Sequence, residues 1–251
     1  MSIIFITGAT GLIGRMYIKH FLNRGDSVIY TSTSKDKINV IANEYVAAVN
    51  ENRLYGCCVD LVEDSYISVI TEFLKHNRLS PDYLINNARC LTNLQVDGWR
   101  NISQEKWLAE YKLDVIVPYQ LSVKFVNSYS NMKGIVNIAS IYGFLPYNSF
   151  LCKGSDTIAI NYGVSKAALL QLTRELAVRF APDKVQVNAI SYGGVEGRAD
   201  EEFKRRYAML CPWQEMLKEK DVVGHVLYLC SEQSEGITGH NLVVDGGFSV
   251  W

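Results

Sequence analysis

Proline is scarce, with five in 251 residues, and histidine scarcer still, with four. Cysteine is present six times but never as a CxxC pair. His20, His76, His225 and His240 lie too far apart for a zinc motif, so the sequence offers no metal site. The adjacent thiols of Cys57 and Cys58 are poorly placed to bond each other, and the expectation is reduced, mostly buried cysteines in a cytoplasmic protein. Neither sign of charge dominates: Lys plus Arg is 25, Asp plus Glu is 26, and the net charge is −1. This excludes nucleic-acid binding by bulk charge. No run approaches the ~20 apolar residues of a membrane span. The apolar opening, Ile3–Ile6, lacks a basic leader and runs into Thr7-Gly8, so it reads as a buried strand and not a signal peptide.

What is present is a rhythm. Short β-rich runs at Ile3–Thr7, Ser27–Thr31, Leu54–Val59, Tyr83–Asn86, Gly134–Ala139, Val185–Ile190 and Asn241–Val244 alternate with helical patterns. A single helix is expected over about Asp36–Asn50, a broken one over Ser103–Tyr129, and a long one over about Asn161–Phe180. Such alternation predicts an α/β fold: one Rossmann-type, doubly wound, seven-stranded parallel sheet flanked by helices. With no linker or repeat, residues 1–251 read as a single domain. Two segments, about 141–160 and 193–217, are too long to be mere connections and follow strand ends, where open α/β sheets bind ligands.

The first strand runs into Thr7-Gly8-Ala9-Thr10-Gly11-Leu12-Ile13-Gly14. Glycines at 8, 11 and 14 let backbone approach a pyrophosphate, and the helix that follows offers free N–H groups and its positive dipole end. At the end of the second strand an NAD site wants a carboxylate for the ribose 2′-hydroxyl. Here stand Ser32, Thr33, Ser34 and Lys35 instead. Hydroxyls and an ammonium suit a 2′-phosphate, so NADP(H) is favoured without excluding NAD(H), and Arg15 is a further candidate for that phosphate.

Tyr162 and Lys166 are four apart at the start of the long helix and share a face. A phenol of pKa ~10 needs about 4 kcal/mol of help to lose ~3 units, and one ammonium at about 5 Å supplies roughly 3 kcal/mol at an effective dielectric near 20. Ser140 ends the fifth strand, where its hydroxyl can meet a substrate carbonyl.

Together these residues resemble the short-chain dehydrogenase/reductase family, and the resemblance spans the chain. Asp60-Leu61 matches the family's adenine-contacting pair, Asn86-Asn87-Ala88 its Asn-Asn-Ala-Gly segment, and Asn188–Ser191 and Asp245-Gly246-Gly247 its late strands. The resemblance implies Tyr162 as acid–base, Lys166 on the nicotinamide ribose, Ser140 on the carbonyl, and cofactor contacts from Asn87, Ala88, Gly193 and the Val195 backbone. It also implies a homotetramer or homodimer paired through Leu113–Tyr129 and Asn161–Phe180, with Ala167, Ala168, Leu170, Leu172 and Leu176 offering apolar surface.

The departures are Arg89 for a glycine, Asp114 for a helix asparagine of the proton relay, Tyr192 for a proline and Gly197 for a threonine. The expected activity is hydride transfer between nicotinamide and a ketone or secondary alcohol. The alternatives are a sugar-nucleotide epimerase or dehydratase that retains its cofactor, suggested by the glycine spacing, and a non-catalytic nucleotide-binding protein. The presumed substrate loops carry Arg89, Lys153, Arg198 and Lys204–Arg206, with Tyr142, Tyr147, Phe150, Tyr192, Tyr207 and Trp213. Guanidinium groups suit an anion and aromatic rings a sugar face, so a polar or acidic sugar-like small molecule is expected. The region from Ile141 also loosely resembles reductases of surface-sugar and nonulosonate pathways.

Overall fold

The computed structural model describes residues 1–96, 100–151, 158–197 and 199–251. Seven strands, β1 (Ile3–Ile6), β2 (Ser27–Ser32), β3 (Leu54–Cys58), β4 (Tyr83–Asn86), β5 (Gly134–Ser140), β6 (Gln186–Tyr192) and β7 (Asn241–Val244), form one sheet in the order β3-β2-β1-β4-β5-β6-β7. Every pairing is parallel. β2, β4 and β5 are buried along their whole length, which is why they read as continuous apolar runs and not as alternating ones.

Helices cover both faces. One core joins α1 (Leu12–Arg24) and α9 (Glu219–Leu229) to the sheet through Tyr17, Phe21, Val222 and Val226. The other packs α4 (Tyr66–His76), α6 (Val117–Ser128) and α7 (Ile160–Phe180) through Ile70, Leu121, Phe125 and Leu176. The chain order reverses between β1 and β4, which opens a crevice at their carboxyl ends.

One expectation needs correcting, and two gain detail. The helix expected over Asp36–Asn50 is two, α2 (Lys35–Glu44) and α3 (Val46–Asn50), because Tyr45 leaves helical geometry at φ −121°, ψ 43°. The break in the Ser103–Tyr129 helix is a π turn: α5 (Gln104–Tyr111) passes into Lys112–Ile116 in wider i→i+5 winding before α6 begins with Pro118 in its first turn. Such turns re-aim side chains and cluster at functional sites. Of the apolar set on α7, Leu170 and Leu176 lie on the face that covers the sheet and are buried, while Ala167 is exposed, as are the larger Ile160, Val164 and Val178. The segment 193–217 holds a helix, α8 (Glu201–Leu210). Among the described residues, Cys57, Cys58, Cys90, Cys211 and Cys230 are free thiols, no group of His, Cys, Asp and Glu suits a metal, and no helix is long and apolar enough to cross a membrane.

Candidate active site

The glycine loop is held by its neighbours. Gly8 sits at φ +62°, and a Cβ there would lie 2.6 Å from the Ala88 Cα, so only glycine lets β4's exit segment close on the loop. Thr7 fastens that closure: its Oγ1 accepts from the N–H groups of Asn87 (2.9 Å) and Ala88 (3.0 Å), and Asn87 Nδ2 donates to the Thr7 carbonyl at 3.0 Å. Thr31 Oγ1 accepts from the Gly8 N–H, and the Thr10 and Ser32 hydroxyls bond at 3.0 Å. A Cβ on Gly11 would touch nothing nearer than 3.7 Å. α1 starts there with no side-chain cap and no acidic residue in its first turn. The N–H groups of Leu12, Ile13 and Gly14 therefore face an open cradle with positive dipole, which fits a dinucleotide pyrophosphate.

Beyond β2, the Ser32–Lys35 cluster divides. Ser32 is buried and braces the loop, also accepting from the Ser34 N–H. Ser34 caps α2 by accepting from Lys37 N. Thr33 and Lys35 are exposed. Arg15 is committed elsewhere, to Glu44 at 2.6 Å. Asp60 is exposed and accepts from the Val62 N–H, while Leu61 is buried against Cys57 and Val59. On the far side, Gly193 abuts the Tyr207 hydroxyl and Asp245. Val195 forms an isolated parallel bridge with Leu217, made by the Gly194 carbonyl and the Glu196 N–H. The Val195 N–H and C=O accordingly point away from that bridge.

Ser140 ends β5, Tyr162 and Lys166 lie on α7, which packs against that strand, and all three are buried. Ser140 Oγ accepts from the Tyr142 N–H, which turns the chain sharply out of the strand. Tyr142 stacks on Tyr147 with ring centroids 3.9 Å apart. Lys166 Nζ lies 5.7 Å from the Tyr162 ring centroid. It also donates to the Ile138 carbonyl and to Asp114 Oδ1, each at 3.0 Å. The lysine charge is therefore shared with a buried carboxylate delivered by the π turn. Arg89 supplies a second cation, its guanidinium carbon 4.5 Å from the Tyr162 ring centroid.

The remaining departures have packing reasons. Tyr192 is not a substrate-facing aromatic: it is buried, donates to the Val222 carbonyl at 2.7 Å and accepts from the Tyr17 hydroxyl, joining β6 to α1 and α9. Burial pushes its phenol, and that of Tyr17, well above the ordinary value. Tyr207 is likewise buried, with its oxygen accepting from the Gly194 N–H. Gly197 sits at φ +131°, a backbone conformation that a β-branched threonine adopts only under strain. Trp213 is exposed and donates its N–H to the Gly246 carbonyl, with no ring contact or hydrogen bond to Tyr162. Lys204 is paired with Glu196 and Glu201, and Arg206 with Glu202. Arg198 and Lys153 lie outside the described residues.

The residues that sequence reasoning missed are Thr7, as the clamp described above, and Glu110. Glu110 is fully buried one turn before Asp114, and its carboxyl accepts from Asn93 Nδ2 at 3.2 Å. Desolvation first, then the Asp114 charge, push it up to about 7. A Glu–x–x–x–Asp pair on the buried face of a helix was the available signal.

A pyrophosphate cradle beside a Ser–Tyr–Lys cluster on a seven-stranded parallel sheet defines a nicotinamide-nucleotide oxidoreductase of the Rossmann class. The family described as enoyl-(acyl carrier protein) reductase matches residues 8–249, and the chain belongs to this short-chain dehydrogenase/reductase family. It is 27% identical over 257 residues to the 3-oxoacyl-(acyl-carrier-protein) reductase FabG of Aquifex aeolicus (strain VF5), covering 96% of this chain and 95% of the relative. It is 27% identical over 273 residues to the NADH-dependent L-xylulose reductase of Ambrosiozyma monospora, covering 98% and 94%. Among solved structures it resembles a 4-hydroxyisoleucine dehydrogenase complexed with NADH, at TM-score 0.83 and 27% identity, covering both chains completely.

Proposed function

We propose that the chain reduces a ketone, or oxidises the matching secondary alcohol, with Tyr162 as the proton donor or acceptor, Lys166 on the cofactor ribose and Ser140 on the substrate carbonyl. What supports this is that Lys166 Nζ reaches the Ile138 carbonyl on β5, two residues before Ser140, and lies 5.7 Å from the Tyr162 ring centroid. The bound nicotinamide supplies or accepts the hydride. Gly8, Thr10, Gly11, Leu12, Ile13 and Gly14 hold its pyrophosphate, Asp60 and Leu61 its adenine, and Asn87, Ala88, Gly193 and Val195 its nicotinamide half. The reading takes residues 1–251 as one cofactor-binding unit.

NADP(H) is the favoured cofactor. β2 ends without a carboxylate, and the exposed Thr33 and Lys35 are positioned on its exit to meet a 2′-phosphate. The named relatives above include two described with NADH, so the preference rests on this chain's own residues. Titrating both reduced cofactors at one salt concentration tests it; tighter NADH binding would overturn it.

The substrate we favour is a small, polar or acidic, sugar-like molecule. Arg89, exposed beside Tyr162 and paired with no carboxylate among the described residues, suits a carboxylate or phosphate on it. A role in surface-sugar metabolism fits the same chemistry. A spectrophotometric screen of neutral ketoses, their acidic counterparts and a greasy ketone decides: preference for the greasy ketone, unchanged in Arg89→Ala, would refute this part.

The chain is proposed to pair with itself. Leu108, Tyr111, Ile116 and Tyr119 on α5, the π turn and α6 stand exposed, as do Ile160, Val164 and Val178 on α7. Light scattering that finds only a monomer at micromolar concentration would refute the dimer or tetramer.

A further inference from the structure

The segment that leaves β4 spends its polar side chains locally, with one exception. Asn87 Nδ2 donates to the Thr7 carbonyl, the Cys90 thiol and the Thr92 hydroxyl bond at 3.0 Å, and Asn93 Nδ2 donates to Glu110 Oε2 at 3.2 Å. The exception is the exposed Arg89, which has no hydrogen bond or ion pair among the described residues. Its guanidinium lies over the Tyr162 ring, 4.5 Å from the centroid. Other cations around the site are committed. Lys166 Nζ, on a side chain 6% exposed, donates to Asp114 and to the Ile138 carbonyl, and Lys204 and Arg206 are paired with glutamates.

A guanidinium over an aromatic face keeps the N–H groups of its edge available, and that edge fits a carboxylate in two-point contact. The chain before Arg89 is fixed. The Ala88 N–H donates to Thr7 Oγ1 at 3.0 Å, and the Ala88 Cα sits where a Cβ on Gly8 would come within 2.6 Å. The uncommitted donors are therefore tethered at the ring that carries the proposed acid–base hydroxyl.

Distance then limits where an anion sits on the substrate. A reacting carbonyl oxygen lies within about 3 Å of the phenol oxygen, which projects from that same ring. A carboxylate oxygen on the guanidinium lies about 2.8 Å from its nitrogens. Two groups held over one ring are bridged by one or two carbon–carbon bonds of about 1.5 Å each. A carboxylate further along the chain meets both points by folding back, which freezes additional torsions.

We propose that Arg89 is a specificity-determining residue that binds a carboxylate one or two carbon–carbon bonds from the reacting carbonyl, so that the substrate is an α- or β-oxo acid or the matching hydroxy acid. This rests on the oxidoreductase reading above and narrows its substrate class. The reaction is the one already proposed: the carbonyl carbon gains a hydride from the reduced cofactor, and its oxygen gains the Tyr162 proton. The other anion within reach is the cofactor's own pyrophosphate, because Ala88 also abuts Gly8 of the cradle.

The test uses the enzyme loaded with its tighter-binding reduced cofactor and three ketone pairs: pyruvate, acetoacetate and levulinate, each beside its methyl ester. These place the carboxyl carbon one, two and three bonds from the carbonyl carbon. Binding is read by quenching of cofactor fluorescence, and turnover by cofactor absorbance. The expected result is an acid-over-ester preference of about tenfold to a hundredfold for pyruvate or acetoacetate, the span of a charge-assisted contact, and a weaker one for levulinate. In Arg89→Ala that preference falls to near parity. Arg89→Lys, which lacks the two-point fork, keeps part of it. Cofactor affinity falls by less than the acid preference does. Acids that do no better than their esters, a stronger preference for levulinate, or a preference that survives Arg89→Ala overturns the proposal. So does a loss of cofactor affinity in Arg89→Ala as large as the loss of acid preference, which would put the guanidinium on the cofactor pyrophosphate. If the acids bind in an Arg89-dependent way while no ketone turns over, the oxidoreductase reading falls and the anion site stands.

Discussion

The glycine loop and the polar layer under Tyr162 differ in what builds them. The loop is backbone work. Its glycines admit Ala88 and leave Gly11 open, and its side-chain partners Thr7, Thr31 and Asn87 serve to fix main chain. Almost everything there can be read from spacing. The polar layer is side-chain work. Arg89, Glu110 with Asp114, and Lys166 come from three separate segments, and their meaning depends on which pairs form in space. A site of the first kind depends on where side chains are missing. One of the second kind depends on which side chains pair.

The sharpest way to break this contrast is Lys166→Ala. It removes the partner of a carboxylate that is 1% exposed, which costs about 3–5 kcal/mol. Turnover and cofactor affinity should both fall, and denaturant unfolding should show the loss of stability. The double variant Lys166→Ala/Asp114→Asn should recover stability without recovering turnover.

Glu110→Gln should act the opposite way on stability. The Glu110 carboxyl rises from an ordinary 4.5 to about 7 in the folded chain, so the folded state holds this proton more tightly than the unfolded state does. Its contribution is most favourable below 4.5 and is lost as pH rises from there to about 7, by on the order of 3 kcal/mol at ~1.4 kcal/mol per unit. Above neutral pH the glutamine variant should be the more stable protein. Equal stabilities at all pH values would mean that Glu110 ionises freely.

Ser32→Asp probes the loop side with a smaller effect. A carboxylate near a 2′-phosphate is opposed by about 1 kcal/mol at 4 Å even in bulk water, so the ratio of NADPH to NADH affinity should fall about fivefold or more. Because Ser32 also braces Thr10, a general drop in both affinities would instead report damage to the loop.

The strand positions, the parallel pairing and the Tyr162–Lys166 face are legible because strand–helix alternation and four-residue spacing are short-range patterns; the strand order is not, since it depends on which strands pair in space. The split at Tyr45 was not, since an apolar repeat continues through it while one residue leaves helical geometry. The π turn was visible only as a break: its winding displaces the register that a 3.6-residue period assumes and carries Asp114 to Lys166. Tyr192 was misread as surface because an aromatic after a strand end resembles a ligand platform. Only the tertiary contacts with Tyr17 and Val222 reveal a buried tie. Arg89 was noticed for its charge, yet its place over the Tyr162 ring depends on how the β4 exit closes on Gly8. The Glu–x–x–x–Asp spacing of Glu110 and Asp114 is legible, but their burial is not, because the π turn re-aims the helix face partway along.

The central claim is that Tyr162 moves the proton while other residues hold the cofactor, and Tyr162→Phe separates those duties. Cofactor titration by fluorescence, run beside turnover of the best ketone from the screen, should give nearly unchanged NADPH affinity and no detectable turnover. Retention of full turnover in Tyr162→Phe would contradict the account.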